Sequence, residues 1–210
     1  MVVFAFPVLV LAWAIRQRTS PVLAFDHQAI TAATDFTRGR RLVSLALVVQ
    51  AVSQPWVVYT FATLIAAYVW FRQGLRARAL WAFVTMMVGW AVGAAAKVVV
   101  HRLRPVLDTP LSHPGGYSFP SGHALNVTVA TSAVLFMCWP LLPRAARALA
   151  VVAAAVLLTA VGLDRVLLGV HFPSDVVAGY ILGFGITVTS WIAFVGRTAE
   201  ISSSASSGRP

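Results

Sequence analysis

Long apolar runs separated by short polar stretches make up most of the chain, and this pattern predicts its fold. A helix needs about 20 mostly apolar residues to cross the hydrocarbon core of a bilayer. Six runs are candidates, although the first is short for a complete span: 1–15, 55–71, 79–100, 123–139, 148–168 and 174–195. The pattern therefore predicts an all-α integral membrane protein of six transmembrane helices joined by short loops.

The polar stretches between these runs differ in kind. Residues 20–41 mix polar and apolar positions, which is typical of one or two small interfacial helices between the first two spans. Residues 72–78 and 140–147 are short basic loops, whereas 101–122 is longer and rich in proline and glycine. The serine-rich residues 196–210 have the composition of a disordered tail.

The amino-acid composition is typical of a membrane domain and differs from that of soluble proteins. Hydrophobic residues make up 59% of the chain and charged residues 10%, whereas soluble domains carry about 25% charged residues. The net charge of +10 comes from basic residues at the ends of the apolar runs, which suits lipid headgroups better than nucleic acid. The lone cysteine, Cys138, allows no intrachain disulfide and no cysteine-based metal site. We therefore interpret residues 1–195 as one membrane domain.

Three polar segments at the ends of the later spans are expected to meet. They are residues 97–105, 120–123 and 164–175. If each apolar run crosses the bilayer once, all three segments reach the same face of the membrane. Loop residues placed at random would fall on both faces, so this arrangement points to one site.

The distribution of basic residues indicates which face this is, because arginine and lysine are most frequent in cytoplasmic loops. We set aside four basic residues of the polar segments: Lys97, Arg102, Arg104 and Arg165. Of the others, seven lie on the opposite face and five on the face of the three segments. This small difference favours a site outside the cytoplasm.

The first segment, KVVVHRLRP, places two cations on one side of a helix. Lys97 and Arg104 are seven residues apart, so on a helix that ends at Pro105 they share a face, about 10 Å apart. Lys97 is the only lysine among the 16 basic residues, which fits a position that prefers a compact ammonium group. Snorkelling of both side chains to lipid phosphates is the alternative.

The second segment, PSGH, has the features of a helix N-terminus beside an anion. Ser121 is a good N-cap residue, and Gly122 allows a ligand to come close to the backbone. The unpaired N–H groups of the first turn carry partial positive charge and bind anions. His123 lies in that turn, where an imidazole can donate a proton near neutral pH. The alternative is a capped helix with an interfacial histidine.

The third segment, DRVLLGVHFPSD, supplies another cation, Arg165, with a second histidine and an acid. His171 lies two residues before Pro173, which suits the first turn of a new helix. Asp175 is then near the third position of that helix, where its carboxylate can reach back toward His171. A carboxylate on one imidazole nitrogen makes the other a stronger nucleophile or base. A capped helix beside an incidental histidine is the alternative.

Together the three segments fit a phosphoryl group, with cations for its oxygens, a nucleophile and a proton donor. Their order and spacing resemble the type 2 phosphatidic acid phosphatase superfamily, which also includes the vanadium haloperoxidases. The family pattern is Lys-x6-Arg-Pro, Pro-Ser-Gly-His and Ser-Arg-x5-His-x3-Asp. The resemblance covers Lys97 to Gly183 and implies that family's helical bundle core. Asp164 replaces the family serine, and pairing with Arg165 would weaken the hold on phosphate or alter the pH dependence.

The resemblance implies a phosphatase that needs no metal or other cofactor. His171 would attack phosphorus and form a phosphohistidine, Asp175 would orient it, and His123 would protonate the leaving oxygen. The phosphoryl oxygens would be held by the remaining motif residues: Lys97, Arg104, Arg165, Ser121 and Gly122. The sequence contains no carboxylate cluster of the kind that binds Mg²⁺.

The short loops favour a phosphate carried by a lipid within the bilayer. The resemblance to the family implies a polyprenyl diphosphate, such as the undecaprenyl or decaprenyl compound, as substrate, and the plasma (inner) membrane of a bacterium as location. Phosphatidic acid, phosphatidylglycerol phosphate and phosphoryl transfer to a second lipid are alternatives. His101, Asp108 and His113 could contact the headgroup or be ordinary polar loop residues. The sequence indicates no nucleic-acid partner and does not indicate an oligomeric state.

Two other classes fit less well. A transporter or channel would place its charges near the midplane of broken helices, whereas here they lie at the ends of spans. A vanadate-dependent haloperoxidase would share the motifs but not the six apolar spans.

Overall fold

The computed structural model describes residues 2–17, 20–107, 111–112 and 114–207, and in these ranges the chain is helical without strands. The helices are α1 Val2–Arg16, α2 Ser20–Gly39, α3 Val43–Val52, α4 Pro55–Arg72, α5 Arg76–Val100, α6 Gly122–Cys138, α7 Arg144–Leu167 and α8 Pro173–Ser207. A single 3₁₀ turn, Trp139–Leu141, follows α6. The predicted all-α class is confirmed.

The six spans predicted from the apolar runs agree approximately with the long apolar helices of the described residues. Four helices of the described chain are long and apolar enough to cross a membrane, and α3 with α4 gives a fifth if this bent pair counts as one span. The pair bends by 46° beside Pro55. Proline has no N–H for the helical ladder and disfavours helical geometry in the residue before it. Helix α1 has 15 residues and is too short to cross alone.

Helix α6 lies at the centre of the bundle, where its faces contact α4, α5, α7 and α8. Small residues let its neighbours approach closely. A Cβ built at Gly89 of α5 would lie 2.9 Å from Val129 Cγ2, and one at Gly179 of α8 would lie 2.9 Å from the Ser121 carbonyl oxygen. Gly89 and Gly93, and likewise Gly179 and Gly183, form two GxxxG patterns, which in membrane helices allow close packing, and both are packing surfaces in this structure.

The segment before the bent span forms one long helix, α2, which packs on α7 and α8. Its buried face is partly polar, since Asp26 is fully buried together with Thr34, Thr37 and Ile30. Thr37 Oγ1 donates to the Leu167 carbonyl oxygen at 2.9 Å, which ties α2 to the end of α7. The predicted small interfacial helix is thus a helix of 20 residues that packs across the end of α7 and the start of α8.

Helix α8 extends past the point where the sequence predicts a tail without secondary structure. Its helical residues continue to Ser207, whereas the predicted tail begins at Gly196. Residues 208–210 lie outside the described part of the chain. The division of the chain into a domain of residues 1–195 and a tail remains a prediction.

Candidate active site

The three polar segments meet at one end of the bundle. The Ser121 N–H donates to the Asp175 carbonyl oxygen at 2.9 Å, which joins the start of α6 to the start of α8. A Cβ built at Gly122 would lie 3.6 Å from Lys97 Cε, so the end of α5 lies against the same turn. The convergence predicted from counting spans is therefore present in the structure.

Helix α5 ends earlier than the sequence predicts, and this changes how Arg104 reaches the site. The helix stops at Val100 because His101 adopts a left-handed backbone conformation, with φ of 54°. Arg104 therefore lies in the following loop, where Pro105 disfavours helical geometry for it. The prediction that Lys97 and Arg104 share a helix face was wrong, although both side chains come to the same site.

Arg104 connects the loop to His171. Its Nη1 donates to the Val170 carbonyl oxygen at 2.8 Å and lies 3.2 Å from His171 Nε2. Its Nε donates to the Gly116 carbonyl oxygen and its Nη2 to the Gly115 carbonyl oxygen, each at 3.1 Å. Because a guanidinium can only donate, Nε2 of His171 must be the acceptor. The proton of the neutral imidazole is therefore on Nδ1.

His171 is 2% exposed and lies between an acid and two cations. Its Nδ1 is 3.6 Å from Asp175 Oδ2, just beyond hydrogen-bonding distance. Burial lowers the pKa of His171 to about 4; Asp175 opposes this shift, and Arg104 and Lys97 add to it. The imidazole is therefore neutral at pH 7, with the Nε2 lone pair directed at the cationic side of the site.

Asp175 is the third residue of α8, as predicted, and both of its carboxylate oxygens have other partners. Oδ2 accepts the Phe172 N–H at 3.0 Å, and Oδ1 accepts Nη1 of Arg102 at 2.7 Å. These contacts fix the carboxylate in the orientation that faces His171.

Arg102 and Asp26 are the residues that the motifs did not reveal. Arg102 lies between Lys97 and Arg104, at a position that the family pattern leaves open, and Asp26 belongs to the predicted interfacial segment. The Nη2 of Arg102 donates to Asp26 Oδ2 at 2.7 Å, and both side chains are buried. One signal was available, because Asp26 is one of only six acidic residues and follows the apolar PVLAF stretch.

Lys97 and Arg165 donate hydrogen bonds to other residues of the protein. Lys97 Nζ donates to the Tyr117 carbonyl oxygen at 2.7 Å. Arg165 is 1% exposed, and its Nη2 donates to Asp164 Oδ2 while its Nη1 donates to Gln50 Oε1 at 3.3 Å. Asp164 therefore forms the pair with Arg165 that its place in the sequence suggested. Gln50, on α3, is a further contact that no motif indicated.

The PSGH turn begins α6 but differs in one detail from the prediction. Ser121 is at the N-cap position, yet its side chain makes no capping hydrogen bond. Its Oγ and the Nε2 of His123 are buried without a hydrogen-bond partner among the described residues. Four positively charged or ionisable side chains of the site act electrostatically on His123: Arg165, His171, Arg104 and Lys97. Two polar atoms of this turn thus remain available to a ligand.

The three candidate headgroup contacts are only partly described. His101 is exposed, and its ring lies edge-on to Tyr117 with centroids 4.5 Å apart. Asp108 and His113 lie outside the described residues. Within the described ranges, no group of three or more His, Cys, Asp or Glu side chains could hold a metal ion.

Comparison with known proteins finds a family model and a solved structure that match the chain. A family model described as the PAP2 superfamily matches residues 78–199. The fold is similar to the crystal structure of the first transmembrane PAP2 type phosphatidylglycerolphosphate phosphatase from Bacillus subtilis, with a TM-score of 0.81 and 25% identity. That similarity covers 95% of this chain and 96% of the other.

Curated relatives match shorter parts of the chain. Phosphatidylglycerophosphatase B of Bacillus subtilis is 36% identical over 86 residues, 40% of this chain and 42% of the relative. The undecaprenyl-diphosphatase of Sulfolobus acidocaldarius is 34% identical over 122 residues, 56% and 52% of the two chains. Decaprenylphosphoryl-5-phosphoribose phosphatase of Mycobacterium tuberculosis is 37% identical over 99 residues, 46% and 50%. The chain therefore spans about half the length of these relatives.

Proposed function

The chain belongs to the PAP2 superfamily, and on that premise we propose that it is a membrane phosphatase that removes phosphate from a lipid phosphomonoester or diphosphate without a metal ion. One observation carries the proposal. A neutral His171 has Asp175 beside Nδ1 and the Arg104 guanidinium 3.2 Å from Nε2. This arrangement leaves a nucleophilic lone pair directed toward the cations that a phosphoryl group would contact.

In the first step, the Nε2 lone pair of His171 attacks phosphorus, and the bond from phosphorus to the lipid oxygen breaks. The electron pair goes to that oxygen, which takes a proton from His123. The negative charge of the bound phosphate favours the protonated form of His123 before the step. Asp175 stabilises the positive charge that develops on His171 as the N–P bond forms.

In the second step, water attacks the phosphohistidine and the N–P bond breaks, which releases inorganic phosphate and restores neutral His171. His123, now unprotonated, accepts a proton from the attacking water. Arg104, Lys97 and Arg165 supply positive charge for the equatorial oxygens in both steps. Ser121 Oγ and the backbone N–H of Gly122 are further donors at the helix N-terminus.

The substrate proposed is a polyprenyl diphosphate, and a groove in the apolar part of the bundle supports a long hydrocarbon tail. The groove, of about 620 Å³, is lined by residues of α4, α6 and α7 and reaches Val52 at the end of α3. Val52 is two residues from Gln50, the side chain that contacts Arg165. Phe61 and Leu157 on its rim are 65% and 45% exposed, so the groove opens to the surrounding lipid.

The names of the relatives divide between two substrate classes. The archaeal and mycobacterial relatives are named for undecaprenyl and decaprenyl substrates. The matched crystal structure is named for phosphatidylglycerol phosphate, and it covers nearly the whole chain. Phosphatidylglycerol phosphate is therefore the second candidate. We further propose that the site lies on the extracytoplasmic face of the plasma membrane. The basic residues support this when the four of the polar segments are set aside, because seven of the others lie on the opposite face and five on the face of the site.

The test uses the purified full chain in detergent with undecaprenyl diphosphate, phosphatidylglycerol phosphate, phosphatidic acid and soluble p-nitrophenyl phosphate. We expect phosphate release to be fastest from undecaprenyl diphosphate, to persist in EDTA, and to disappear in His171→Ala. An acid-labile phosphoenzyme should form in the wild type and be absent from that variant. Activity retained by folded His171→Ala, or lost in EDTA, would contradict the mechanism. Added acceptor lipid would distinguish hydrolysis from transfer.

A further inference from the structure

One buried arginine bridges two acids at the back of the site. Arg102 is 7% exposed, and its Nη1 donates to Asp175 Oδ1 and to Ser174 Oγ, each at 2.7 Å. Its Nη2 donates to Asp26 Oδ2 at 2.7 Å. The guanidinium also lies over the ring of Phe172, with Cζ 4.1 Å from the centroid. Arg102 thus touches the carboxylate beside His171 but is turned away from the phosphate side.

Asp26 completes a closed network with the start of α8. Its Oδ1 accepts the Ser174 N–H at 3.1 Å, and its Oδ2 accepts Ser174 Oγ at 2.5 Å. Asp26 is fully buried and belongs to α2, outside the residues that match the family model. Its neighbour His27 lies edge-on to Phe172, with ring centroids 5.2 Å apart. A helix from outside the motif core therefore reaches the catalytic acid through a single guanidinium.

We propose that Asp26 and Arg102 are positioning residues for the reaction: they hold Asp175 Oδ1 so that Oδ2 faces His171, and they divide one positive charge between two acids. The proposal rests on the proposed function in that His171 is the nucleophile. The Phe172 N–H holds Oδ2 of Asp175 at 3.0 Å, and Arg102 adds a second contact, on Oδ1. Together the two contacts keep the carboxylate in the orientation in which Oδ2 faces Nδ1–H of His171.

The division of charge gives the network a measurable signature. Asp26 takes part of the charge of Arg102, which leaves Asp175 a stronger partner for a developing imidazolium. Without Asp26, Asp175 alone would pair with the Arg102 guanidinium. Asp175 would then stabilise protonated His171 less. Removal of Arg102 would leave Asp175 unopposed and favour protonated His171. These opposite signs follow from the two charges themselves, so the titration shows only that the network acts on His171. The positioning role is tested by kcat, which a bridge that only fastens α2 to α8 has no reason to lower.

Other charges face this network from each packed element. His171 faces Lys97 of α5, Arg104 of the loop, His123 of α6 and Asp175 of α8. Asp175 faces His171 and Arg102, and its charge also acts on Lys97 and Arg104. The substitutions below leave Lys97, Arg104 and His123 unchanged, so a shift in the titration of His171 reports the Asp26–Arg102–Asp175 chain.

The experiment compares Asp26→Asn and Arg102→Gln with matched controls. Asp35→Asn makes the same change on an exposed part of α2, where Asp35 pairs with Arg38 at 3.3 Å. Arg78→Gln removes a guanidinium that, like Arg102, donates to the protein and lies over a ring, here Trp191 at 4.9 Å. For each protein we measure kcat, KM, the midpoint of thermal unfolding, and the titration of His171 by histidine-selective ¹⁵N NMR.

We expect both variants to lose roughly 10-fold to 100-fold in kcat with little change in KM, the range for loss of a hydrogen bond to a charged group. The titration midpoint of His171 should rise in Arg102→Gln and fall in Asp26→Asn, and Arg102→Lys should recover part of kcat. Neither control should change these quantities.

A fall in the unfolding midpoint with unchanged kcat and unchanged titration of His171 would overturn the inference. If Arg102→Gln does not fold, Ser174→Ala and Asp26→Asn decide, because each breaks the network and leaves Arg102 in place. If the wild type releases no phosphate from any lipid, the proposed function fails. Opposite shifts of the His171 titration would then still support the coupling of Arg102 and Asp26 to His171 through Asp175, and unchanged titration would reject it.

Discussion

The Arg104 guanidinium lies 3.2 Å from Nε2 of His171 and so binds the lone pair that the proposed nucleophile would use. The same side chain is held by the carbonyl oxygens of Gly115, Gly116 and Val170. A phosphoryl group entering the site offers Arg104 stronger, charge-assisted partners than these neutral acceptors. In the proposed mechanism, substrate binding would therefore release the lone pair and stabilise the phosphate through one side chain.

This relationship predicts that lysine cannot replace Arg104. Arg104→Lys keeps the charge but loses the fork that reaches the loop carbonyl oxygens and His171 together. We expect kcat/KM to fall by roughly 100-fold, about 2.7 kcal/mol of transition-state stabilisation. Steady-state phosphate release measures this. Arg147→Lys is the matched control, since Arg147 also donates to a backbone carbonyl oxygen, that of Leu142. Equal activity of Arg104→Lys and wild type would show that charge alone suffices.

The pKa of His171 predicts how stability depends on pH. Burial lowers it to about 4 from the ordinary value of 6.5. Below pH 6.5 the unfolded chain therefore binds a proton at His171. The folded protein binds this proton only near pH 4 and below. The contribution is fully present above pH 6.5 and is lost as the pH falls to 4, on the order of 3 kcal/mol of the free energy of unfolding.

The measurement is the unfolding midpoint of wild type and His171→Asn between pH 7.5 and about 4.5 in detergent. Asparagine does not titrate, so its protein should lose less stability on acidification. The difference between the two proteins isolates His171 from the other acids and histidines. Parallel curves for the two proteins would mean that His171 is not held neutral in the folded state.

Much of this site was readable from the sequence because the three motifs are local patterns. Spacing placed Asp175 at the third position of its helix, and the alternation of spans brought His123 and His171 to one face. The end of α5 could not be read in the same way. It depends on the left-handed conformation of His101, where the chain leaves the helix and buries the next residue, Arg102.

The network behind the site was hidden for a different physical reason. Asp26 and Arg102 are 76 residues apart in the sequence, and no periodic pattern relates them. Their pairing arises only when α2 packs across the ends of α7 and α8. Similarly, Gln50 reaches Arg165 only because the chain bends between α3 and α4. Isolated polar residues in mixed segments gain their meaning from tertiary packing.

Asp164 provides a prediction about the one departure from the family pattern. It pairs with Arg165 in a buried contact, so it competes with phosphate for that guanidinium. Asp164→Ser should tighten inhibition by inorganic phosphate by roughly 5-fold, about 1 kcal/mol. It should also lower the unfolding midpoint, because breaking a buried ion pair destabilises the fold.

The inhibition constant and the unfolding midpoint are measured together for Asp164→Ser and Asp164→Asn. Asparagine retains the shape of the side chain without the charge, so tighter phosphate binding by both variants would assign the effect to charge. Weaker phosphate binding in both would show instead that Asp164 orients Arg165 for the substrate.

The groove between α4, α6 and α7 predicts that a substitution within it should affect long-tailed substrates more than short-tailed ones. Ala154 of α7 lines the groove, whereas its neighbour Ala155 does not. Ala154→Trp would fill part of the volume of about 620 Å³ without touching the polar site. We expect KM for undecaprenyl diphosphate to rise several-fold, roughly 1 kcal/mol of lost apolar contact, with kcat and the KM for a short-chain prenyl diphosphate nearly unchanged.

The control, Ala155→Trp, adds the same ring to the lipid-facing side of α7 and should leave kcat and KM unchanged for both substrates. Equal effects of Ala154→Trp on long and short substrates would mean that the hydrocarbon tail lies elsewhere, because a tail that does not enter the groove cannot be displaced by a ring within it.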